Sequence, residues 1–374
     1  MWERWYTPSA MPPRWRPVLA EIVPYVVPPP LDALAAELGQ PVLRLSANEN
    51  PLGPSPLAVA AIRREAERIH LYPDGGAPAL AEAVAGTLGV APTQLLFGNG
   101  GDEILTLLAR ALLDPGDEVV VPDPSFEPYT TTARLAGAKV VPSPLRDYRI
   151  DLDDVLARVG PRTKLVCLSS PHNPTGTILD RPAWERFCAR CPGDIVVLLD
   201  EAYVDFIEAP DRAPDGLATL RTRPESLVLL RTFSKITGLA GLRVGYAIAG
   251  LDVISHLERT REPFNVGRVA QAGAAAATRD PAHREATRRM VWTERRALAV
   301  AFAARGLSHP PTEANFFLVR LGRPTGPVVL ALKTRGVLVR DGAALGYPEH
   351  LRISVGTPDQ NTRLLAALDR ALAG

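Results

Sequence analysis

The segment Leu229-Leu230-Arg231-Thr232-Phe233-Ser234-Lys235 carries more structural information than any other part of this chain. Its apolar start predicts a buried β-strand, and the strand ends close to a lysine. Gly238 and Gly241 follow, and they predict a glycine-rich turn directly after the lysine. A strand that leads into such a turn is typical of an α/β sheet, in which ligands bind beyond the carboxyl ends of the strands.

Lysine is scarce in this protein of 374 residues. Lys235 is one of only four lysines among 42 basic residues, and the other three are Lys139, Lys164 and Lys333. Those three begin predicted strands or lie on a predicted amphipathic helix, which are ordinary solvated positions. An amine desolvated at the end of a buried strand is suited to nucleophilic chemistry. We therefore expect Lys235 to be the reactive lysine.

Helical and strand patterns alternate between residues 55 and 270, which predicts an α/β fold with a mostly parallel sheet covered by helices on both faces. The predicted strands are Gln94–Gly98, Glu118–Val121, Lys139–Val141, Lys164–Ser169, Ile195–Asp200 and Ser226–Arg231. The predicted helices are Pro56–Ile69, Ala77–Leu88, Gly101–Leu113, Ser125–Ala136, Leu152–Val159 and Arg181–Arg190.

The pattern changes after about residue 280, where a long helix and short strands predict a smaller α+β domain. We expect residues 31–54 and 280–374 to form this small domain and residues 55–279 to form the large one. Residues 1–30 are rich in proline and aromatic residues, which excludes a long helix and suggests an arm that packs on a surface. The small domain is expected to contain the helix His283–Arg305 and the strands Asn315–Leu321, Val337–Arg340 and Leu351–Val355.

Composition argues against several classes of protein. The net charge is +1, so no overall field favours nucleic acid or an anionic membrane. No apolar run approaches the ~18 residues of a membrane-spanning helix, and no secretory signal pattern is evident. The chain has three cysteines, and the spacing of Cys188 and Cys191 is that of a redox pair or of half a zinc site. No second Cys or His pair lies at a suitable distance to complete a zinc site, so we interpret all three as ordinary thiols. We expect a cytoplasmic protein without a metal site.

Three further strand-to-helix junctions carry polar residues. Gly98–Glu103 joins a strand to a helix through glycines, which suits either a phosphate at the helix N-terminus or a simple tight turn. Pro171–Gly176 forms a rigid turn, in which Asn173 is either structural or a hydrogen-bond donor to a ligand. Asp200 ends a run of four apolar residues, where it either caps a helix or pairs with a buried cation. Tyr203 presents a hydroxyl three residues later.

Taken together, these segments resemble the fold-type I, class I/II aminotransferases, and most closely the histidinol-phosphate aminotransferase branch. The resemblance runs from about Pro24 to the C-terminus. Its other landmarks are Ser46–Gly53, Tyr72–Gly76, Thr232–Lys235, Gly241–Arg243 and Leu351–Ile353. It implies a large domain with a mostly parallel seven-stranded sheet, a smaller α+β domain, a homodimer with a shared active site, and the cofactor pyridoxal 5'-phosphate (PLP).

The resemblance also implies a role for each matched residue. Lys235 holds PLP as a Schiff base and moves the proton at the substrate Cα, and Asp200 pairs with the ring nitrogen. Asn173 and Tyr203 bind the ring oxygen, while Phe126 stacks on the ring. The phosphate is surrounded by Gly100, Gly101, Asp102, Ser234 and Arg243, joined by Tyr72 from a second subunit. Arg352 is the clamp for the substrate carboxylate or phosphate, with Arg340 and Tyr25 close by.

Several positions depart from the family pattern and bear on the substrate. Gly101 replaces a frequent serine, His172 replaces a common asparagine, and Ile236-Thr237 replaces the usual Ala-Phe. Transamination between an amino acid or amino-alcohol phosphate and a 2-oxo acid is the leading hypothesis. The alternatives are a PLP-dependent decarboxylase of the threonine-phosphate type and a non-catalytic PLP-binding sensor. A nicotinamide enzyme is disfavoured, because Gly98–Gly101 lacks the full dinucleotide fingerprint.

Overall fold

The computed structural model describes residues 14–24 and 30–373. Its central feature is a seven-stranded sheet with the spatial order β2-β8-β7-β6-β5-β3-β4. In chain order these strands are β2 (Leu95–Asn99), β3 (Glu118–Asp123), β4 (Lys139–Pro144), β5 (Thr163–Ser169), β6 (Val196–Asp200), β7 (Leu227–Thr232) and β8 (Val244–Ile248). The predicted fold class is thereby confirmed.

Strand β8 is the single antiparallel member of this sheet, and it lies between β2 and β7. The other strands run in one direction, so their carboxyl ends meet at one edge. Because β8 runs the opposite way, its first residues lie at the same edge. Arg243, which directly precedes β8, is thus brought beside the ends of β2 and β7.

Helices cover both faces of the sheet. On one face the core contains Trp184, Leu199 and Leu229, and on the other it contains Leu107, Leu198 and Val228. The helices are α2 (Pro56–Glu65), α3 (Pro78–Leu88), α4 (Gly101–Leu112), α5 (Glu127–Ala136), α6 (Leu152–Ala157), α7 (Arg181–Arg190), α8 (Gly216–Thr222), α9 (Leu251–Glu258) and α10 (Arg268–Thr278). Neighbouring strand residues alternate between the two faces, which explains why 196–199 of β6 and 227–230 of β7 are apolar without interruption.

A second apolar core combines the two ends of the chain. Strand β1 (Leu43–Arg44) pairs with β10 (Val337–Leu338), and β11 (Arg340–Asp341), β12 (His350–Ser354) and β9 (Phe316–Arg320) form an antiparallel sheet. These strands pack with α11 (Pro281–Ala303), α12 (Gly326–Thr334) and α13 (Pro358–Ala373) around Phe302, Phe316 and Phe317. Helix α1 (Leu31–Leu38) precedes β1 and ends at Gly39, which takes a left-handed φ of 61°.

The structure corrects several predicted boundaries. Helix α2 stops at Glu65 and continues as a 3₁₀ turn over Ala66–Arg68. Helix α5 begins at Glu127, after Phe126 rather than before it. The predicted strand Val337–Arg340 is two short strands that belong to different sheets. Strand β8 was not predicted, because Gly245 and Ala247 weaken the β-branched signal that marks the other strands.

Gly245 in β8 provides a stability test. A methyl group there would lie 2.6 Å from the Gly101 nitrogen and 2.7 Å from the Gly100 carbonyl carbon. Since both are backbone atoms, Gly245→Ala has to displace the turn between β2 and α4. We expect a loss of about 1–3 kcal/mol in the free energy of unfolding, which is the usual range for overpacking.

Gly241→Ala is the matched control for thermal or denaturant unfolding. Gly241 is exposed, and a methyl group there would meet no atom within 4 Å. We expect its unfolding midpoint to equal that of the parent. Equal midpoints for the two variants would mean that the β2–α4 turn tolerates displacement.

Candidate active site

A cavity of about 260 Å³ opens at the carboxyl edge of the large sheet. Parallel strands bring their following loops together at this edge, so segments far apart in sequence face one another. Nine of the predicted site residues line the cavity: Gly101, Asp102, Phe126, Asn173, Asp200, Tyr203, Ser234, Lys235 and Arg243. The structure thus brings together residues from five strand-to-helix connections.

Asp200 is the buried acid of the cavity. It ends β6 and is 7% exposed. Its Oδ1 accepts a hydrogen bond from the Ala202 amide at 2.9 Å, and its Oδ2 accepts one from the Tyr129 hydroxyl at 2.6 Å. Burial raises the pKa of the carboxyl to about 6, while both donors hold it down. A carboxylate in such surroundings gains most from a cationic partner in the cavity.

Lys235 lies in the same cavity as Asp200. Its Nζ donates to the Ala47 carbonyl oxygen at 3.1 Å and sits 5.6 Å from the centre of the Tyr203 ring. The lysine follows β7 by three residues, and Gly238 takes a left-handed φ of +70° in the turn that follows. A methyl group at Gly238 would lie 2.1 Å from the Gly53 carbonyl oxygen. The turn after the lysine therefore requires glycine.

An anion-binding corner forms where β2 meets α4. Helix α4 begins at Gly101, so its first amides have no partner within the helix. Arg243 Nη2 donates to Asp102 Oδ2 at 3.0 Å, and its Nη1 lies 3.5 Å from Ser234 Oγ. A Cβ on Gly100 would lie 2.6 Å from that Nη2. Gly100 therefore does not line the cavity, but its lack of a side chain lets the guanidinium approach.

Two side chains present hydrogen-bond donors at the opposite wall. Asn173 Oδ1 accepts from Arg352 Nη1 at 2.7 Å, so the amide nitrogen of Asn173 is the end available to a ligand. The Tyr203 oxygen accepts from Asn48 Nδ2 at 3.0 Å, which leaves its own hydrogen to donate. Asn48 is buried with a left-handed φ of 54°, and Ser354 binds both its backbone nitrogen and its side chain. In the sequence, Asn48 stands out only as part of the landmark Ser46–Gly53.

Arg352 lies behind Asn173 rather than in the cavity wall. It belongs to β12, is 9% exposed, and donates from Nη2 to the Ser46 carbonyl oxygen at 2.9 Å. Arg340 pairs directly with Arg352 across β11 and β12. Side chains of directly opposed residues share one face of a sheet, so both arginines point to the same side.

Phe126 and Tyr129 form an aromatic wall. Phe126 is the residue before α5, and its ring contacts Tyr129 edge-on at 5.4 Å between centroids. The sequence did not single out Tyr129, although its hydroxyl oxygen lies 2.6 Å from Oδ2 of the buried acid Asp200. Its one-turn spacing from Phe126 was the available signal, because residues three apart share a helix face.

Tyr72, another predicted residue, lies away from the cavity. Tyr72 is 78% exposed and is not part of the cavity wall. It stacks on Phe264 with ring centroids 4.7 Å apart, and Phe264 is itself exposed. Tyr25 falls outside the described residues. The cavity of a single chain therefore contains no contribution from Tyr72.

Within residues 14–24 and 30–373, no cluster of three or more His, Cys, Asp or Glu side chains could hold a metal ion. Across the same part of the chain, no helix is long and apolar enough to cross a membrane. Cys167, Cys188 and Cys191 are free thiols. Burial raises the pKa of the Cys188 thiol to about 12 and also raises that of Cys191, which disfavours the thiolate that redox chemistry needs.

Comparisons with known proteins agree with this geometry. Residues 40–368 match the model of the family described as aminotransferase class I and II. A histidinol-phosphate aminotransferase of Moorella thermoacetica is 44% identical over 98% of this chain and 95% of its own length. The crystal structure of a Sinorhizobium meliloti histidinol-phosphate aminotransferase in complex with PLP superposes with a TM-score of 0.88 at 28% identity, covering 97% and 99% of the two chains.

A threonine-phosphate decarboxylase of Porphyromonas gingivalis superposes with a TM-score of 0.77, covering 89% of this chain and all of the other. Its sequence identity is 23%, so this likeness shows a common fold alone. The family match and the sequence relatives favour the aminotransferases. The chain belongs to the class I and II aminotransferases, the PLP-dependent enzymes of fold type I that its motifs resemble.

Proposed function

We propose that this enzyme transfers the amino group of histidinol phosphate, or of a similar amino-alcohol phosphate or amino acid, to a 2-oxo acid such as 2-oxoglutarate. The observation that carries this proposal is the presence of the Lys235 amine and the buried Asp200 carboxylate in one cavity. The curated relatives named histidinol-phosphate aminotransferase, which match nearly the whole chain, support the choice of donor.

The cavity fits PLP at each of its polar ends. Asp200 is a buried acid that needs a cation, and it would hold the proton on the ring nitrogen. The first amides of α4, together with Ser234 and Arg243, would bind the phosphate. Asn173 and Tyr203 would donate to the ring oxygen, because their acceptor atoms are already occupied by Arg352 and Asn48. Phe126 would cover one face of the ring.

PLP supplies an aldehyde and an electron-withdrawing ring that stabilises negative charge at the substrate Cα. The protein supplies orientation and proton transfer. Lys235 would bind the aldehyde covalently and then, once displaced by the donor amine, carry the Cα proton on Nζ. Asp200 would hold the proton on the ring nitrogen, which would keep the ring electron-withdrawing.

The lysine assignment can be tested by substitution. Lys235→Ala removes the amine that binds PLP covalently, so we expect loss of the visible absorption band of lysine-bound PLP and loss of turnover. Lys164→Ala is the control, because Lys164 is exposed at the start of β5. Borohydride reduction and peptide mapping of the parent should place the pyridoxyl label on residue 235. A label on another lysine would contradict the assignment.

The substrate's anionic end is assigned to Arg352 and Arg340. Arginine binds phosphate or carboxylate through two parallel hydrogen bonds. Arg352 is joined to Asn173, so it lies next to the position of the reacting carbon. Arg340 lies on the same face, and two guanidinium groups suit a doubly charged phosphate better than a single carboxylate.

These two arginines give a prediction on donor choice. Arg352→Ala should raise KM for every donor by about 10- to 100-fold, the equivalent of a lost charged hydrogen bond, with a smaller effect on PLP affinity. Arg340→Ala should raise KM for histidinol phosphate but not for aromatic amino acids. Arg320→Ala, an exposed arginine of the same sheet, is the control. An Arg340→Ala enzyme with an unchanged KM for the phosphorylated donor would place the clamp elsewhere.

Incubating the parent enzyme with different amino donors distinguishes transamination from decarboxylation. Loss of the visible band with formation of pyridoxamine phosphate and a carbonyl product indicates transamination. Release of CO₂ from a carboxylated donor indicates decarboxylation and would overturn the proposed reaction.

We propose that the enzyme is a homodimer with a shared active site. The support is Tyr72, which is exposed, stacked on the exposed Phe264 and outside the cavity of its own chain. Arg268 Nη1 pairs with Glu65, and its Nη2 donates to the Tyr72 carbonyl oxygen. These contacts anchor the backbone at Tyr72. Sedimentation should give twice the mass of the chain, and Tyr72→Ala should weaken PLP binding. A fully active monomer would contradict this arrangement.

The remaining expectations are proposals of the same kind. The free cysteines support a reducing compartment, which for this enzyme we take to be the cytoplasm. Leu43 and Leu45 pack with Phe316 and Phe317, which supports a small domain made from residues 31–54 and 280–374. Limited proteolysis that released residues 55–279 without the remainder would support that division, and cleavage inside the large sheet would contradict it.

A further inference from the structure

The buried acid of the active site is held by a second buried layer of hydrogen bonds. Tyr129 is 2% exposed, and its hydroxyl donates to Asp200 Oδ2 at 2.6 Å. Burial raises the pKa of the phenol well above its ordinary range, with the Asp200 charge adding to the effect. The phenol therefore stays protonated at neutral pH and acts as a donor to the carboxylate.

Ser169 and His172 continue this layer away from the cavity. Ser169 ends β5 and is the direct partner of Asp200 in the neighbouring strand. Its Oγ lies 2.9 Å from His172 Nδ1. His172 Nε2 lies 3.1 Å from the Pro124 carbonyl oxygen. Both Ser169 and His172 are buried.

The chemistry of these groups fixes which atom donates at each step. A carbonyl oxygen only accepts, so His172 Nε2 has to carry a hydrogen. Burial lowers the pKa of His172 to about 4, which leaves the ring neutral and Nδ1 an acceptor. The Ser169 hydroxyl then donates to Nδ1. The Tyr129 hydroxyl donates separately to Asp200.

We propose that Tyr129 is a positioning residue that keeps Asp200 ionised and aimed at the cofactor, and that His172 behind it is a neutral ring with its hydrogen on Nε2. This role rests on the proposed function, because Tyr129 acts on PLP only through Asp200.

Other charged and titratable groups also face Asp200. Asp102 of α4 and Glu201 at the end of β6 both raise its pKa, and Glu201 is paired with Arg231 of β7 at 2.7 Å. Cys167 of β5 lies near Tyr129, where burial keeps it a neutral thiol. Lys235 and Tyr203 line the same cavity. Among the hydrogen bonds to the carboxylate, the one from Tyr129 can be removed without changing any charge.

The sign of the expected effect follows from the donor role. A hydrogen bond to the ionised form lowers a carboxyl pKa, so its loss raises the pKa of Asp200 further above the ordinary value. The carboxylate then takes up its proton at a higher pH as the pH falls. Binding that depends on ionised Asp200 is lost earlier on the acid side, while binding at high pH is little changed.

The test measures PLP binding rather than activity. In a Lys235→Ala background, which removes covalent attachment, equilibrium dialysis gives the Kd of PLP from pH 5 to 8.5. We expect Tyr129→Phe to move the acid limb of this profile upward by about one pH unit, since a hydrogen bond to a charged group corresponds to a shift of about that size or more. At pH 5, below both pKa values, this equals a roughly tenfold weaker Kd.

Two further variants separate the possible outcomes. Tyr246→Phe makes the same change at another buried tyrosine of the sheet, which is not part of the cavity wall, and should leave the profile in place. Asp200→Asn should weaken PLP binding at pH 8. If Asp200→Asn binds as tightly as the parent, the proposed function is wrong. If it binds weakly but Tyr129→Phe has the parent profile, the role of Tyr129 is wrong.

The tautomer and charge of His172 can be measured directly in the unsubstituted protein. Nitrogen-15 NMR of the histidine rings, assigned with a His172→Gln variant, reports both tautomer and charge. We expect His172 to stay neutral with the hydrogen on Nε2 from pH 5 to 8. Titration of His172 within this range, or a hydrogen on Nδ1, would overturn the assigned order of donors.

Discussion

A carboxylate buried at the end of β6 is the constraint on which the rest of the site depends. Asp200 is removed from water by the apolar strands on both sides of it, so the charged form is costly unless donors and a cation surround it. Tyr129 and the Ala202 amide supply two donors. The ring nitrogen of PLP is the proposed cation. The same burial that makes the acid costly makes it effective, because an ion pair is stronger away from water.

The segment that follows β1 lines the cavity with Ala47 and Glu49, and together with β12 it also contributes hydrogen bonds to the site. Asn48 orients the Tyr203 hydroxyl, and Ser354 of β12 holds Asn48 in a left-handed conformation. Arg352 of the same strand orients the Asn173 amide. A substrate anion at Arg352 would therefore act on Asn173, which is proposed to bind the cofactor. In that proposal, substrate recognition and cofactor orientation share one connected set of contacts.

Antiparallel β8 has a structural part in assembling the anion-binding corner. It places Arg243 beside the first turn of α4, and Gly245 and Gly100 allow the backbones and the guanidinium to approach closely. Arg243 itself has a φ of 52°, which a non-glycine residue adopts only when its surroundings hold it there. The corner is thus built from the packing of three segments that are distant in sequence.

The sequence by itself determined the fold class, the candidate lysine Lys235 and half of the residues in the cavity wall. Buried parallel strands are continuous apolar runs, and the residues that follow them meet at one edge, so Lys235, Asp200 and Asn173 could be predicted from local pattern. Tertiary structure decided the place of β8, the separation of Arg352 from the cavity wall, the exposed position of Tyr72, and the contact of Tyr129 with Asp200. Each of these depends on which distant segments pack together, and hydrogen-bond partners across strands and domains leave no periodic trace in the sequence.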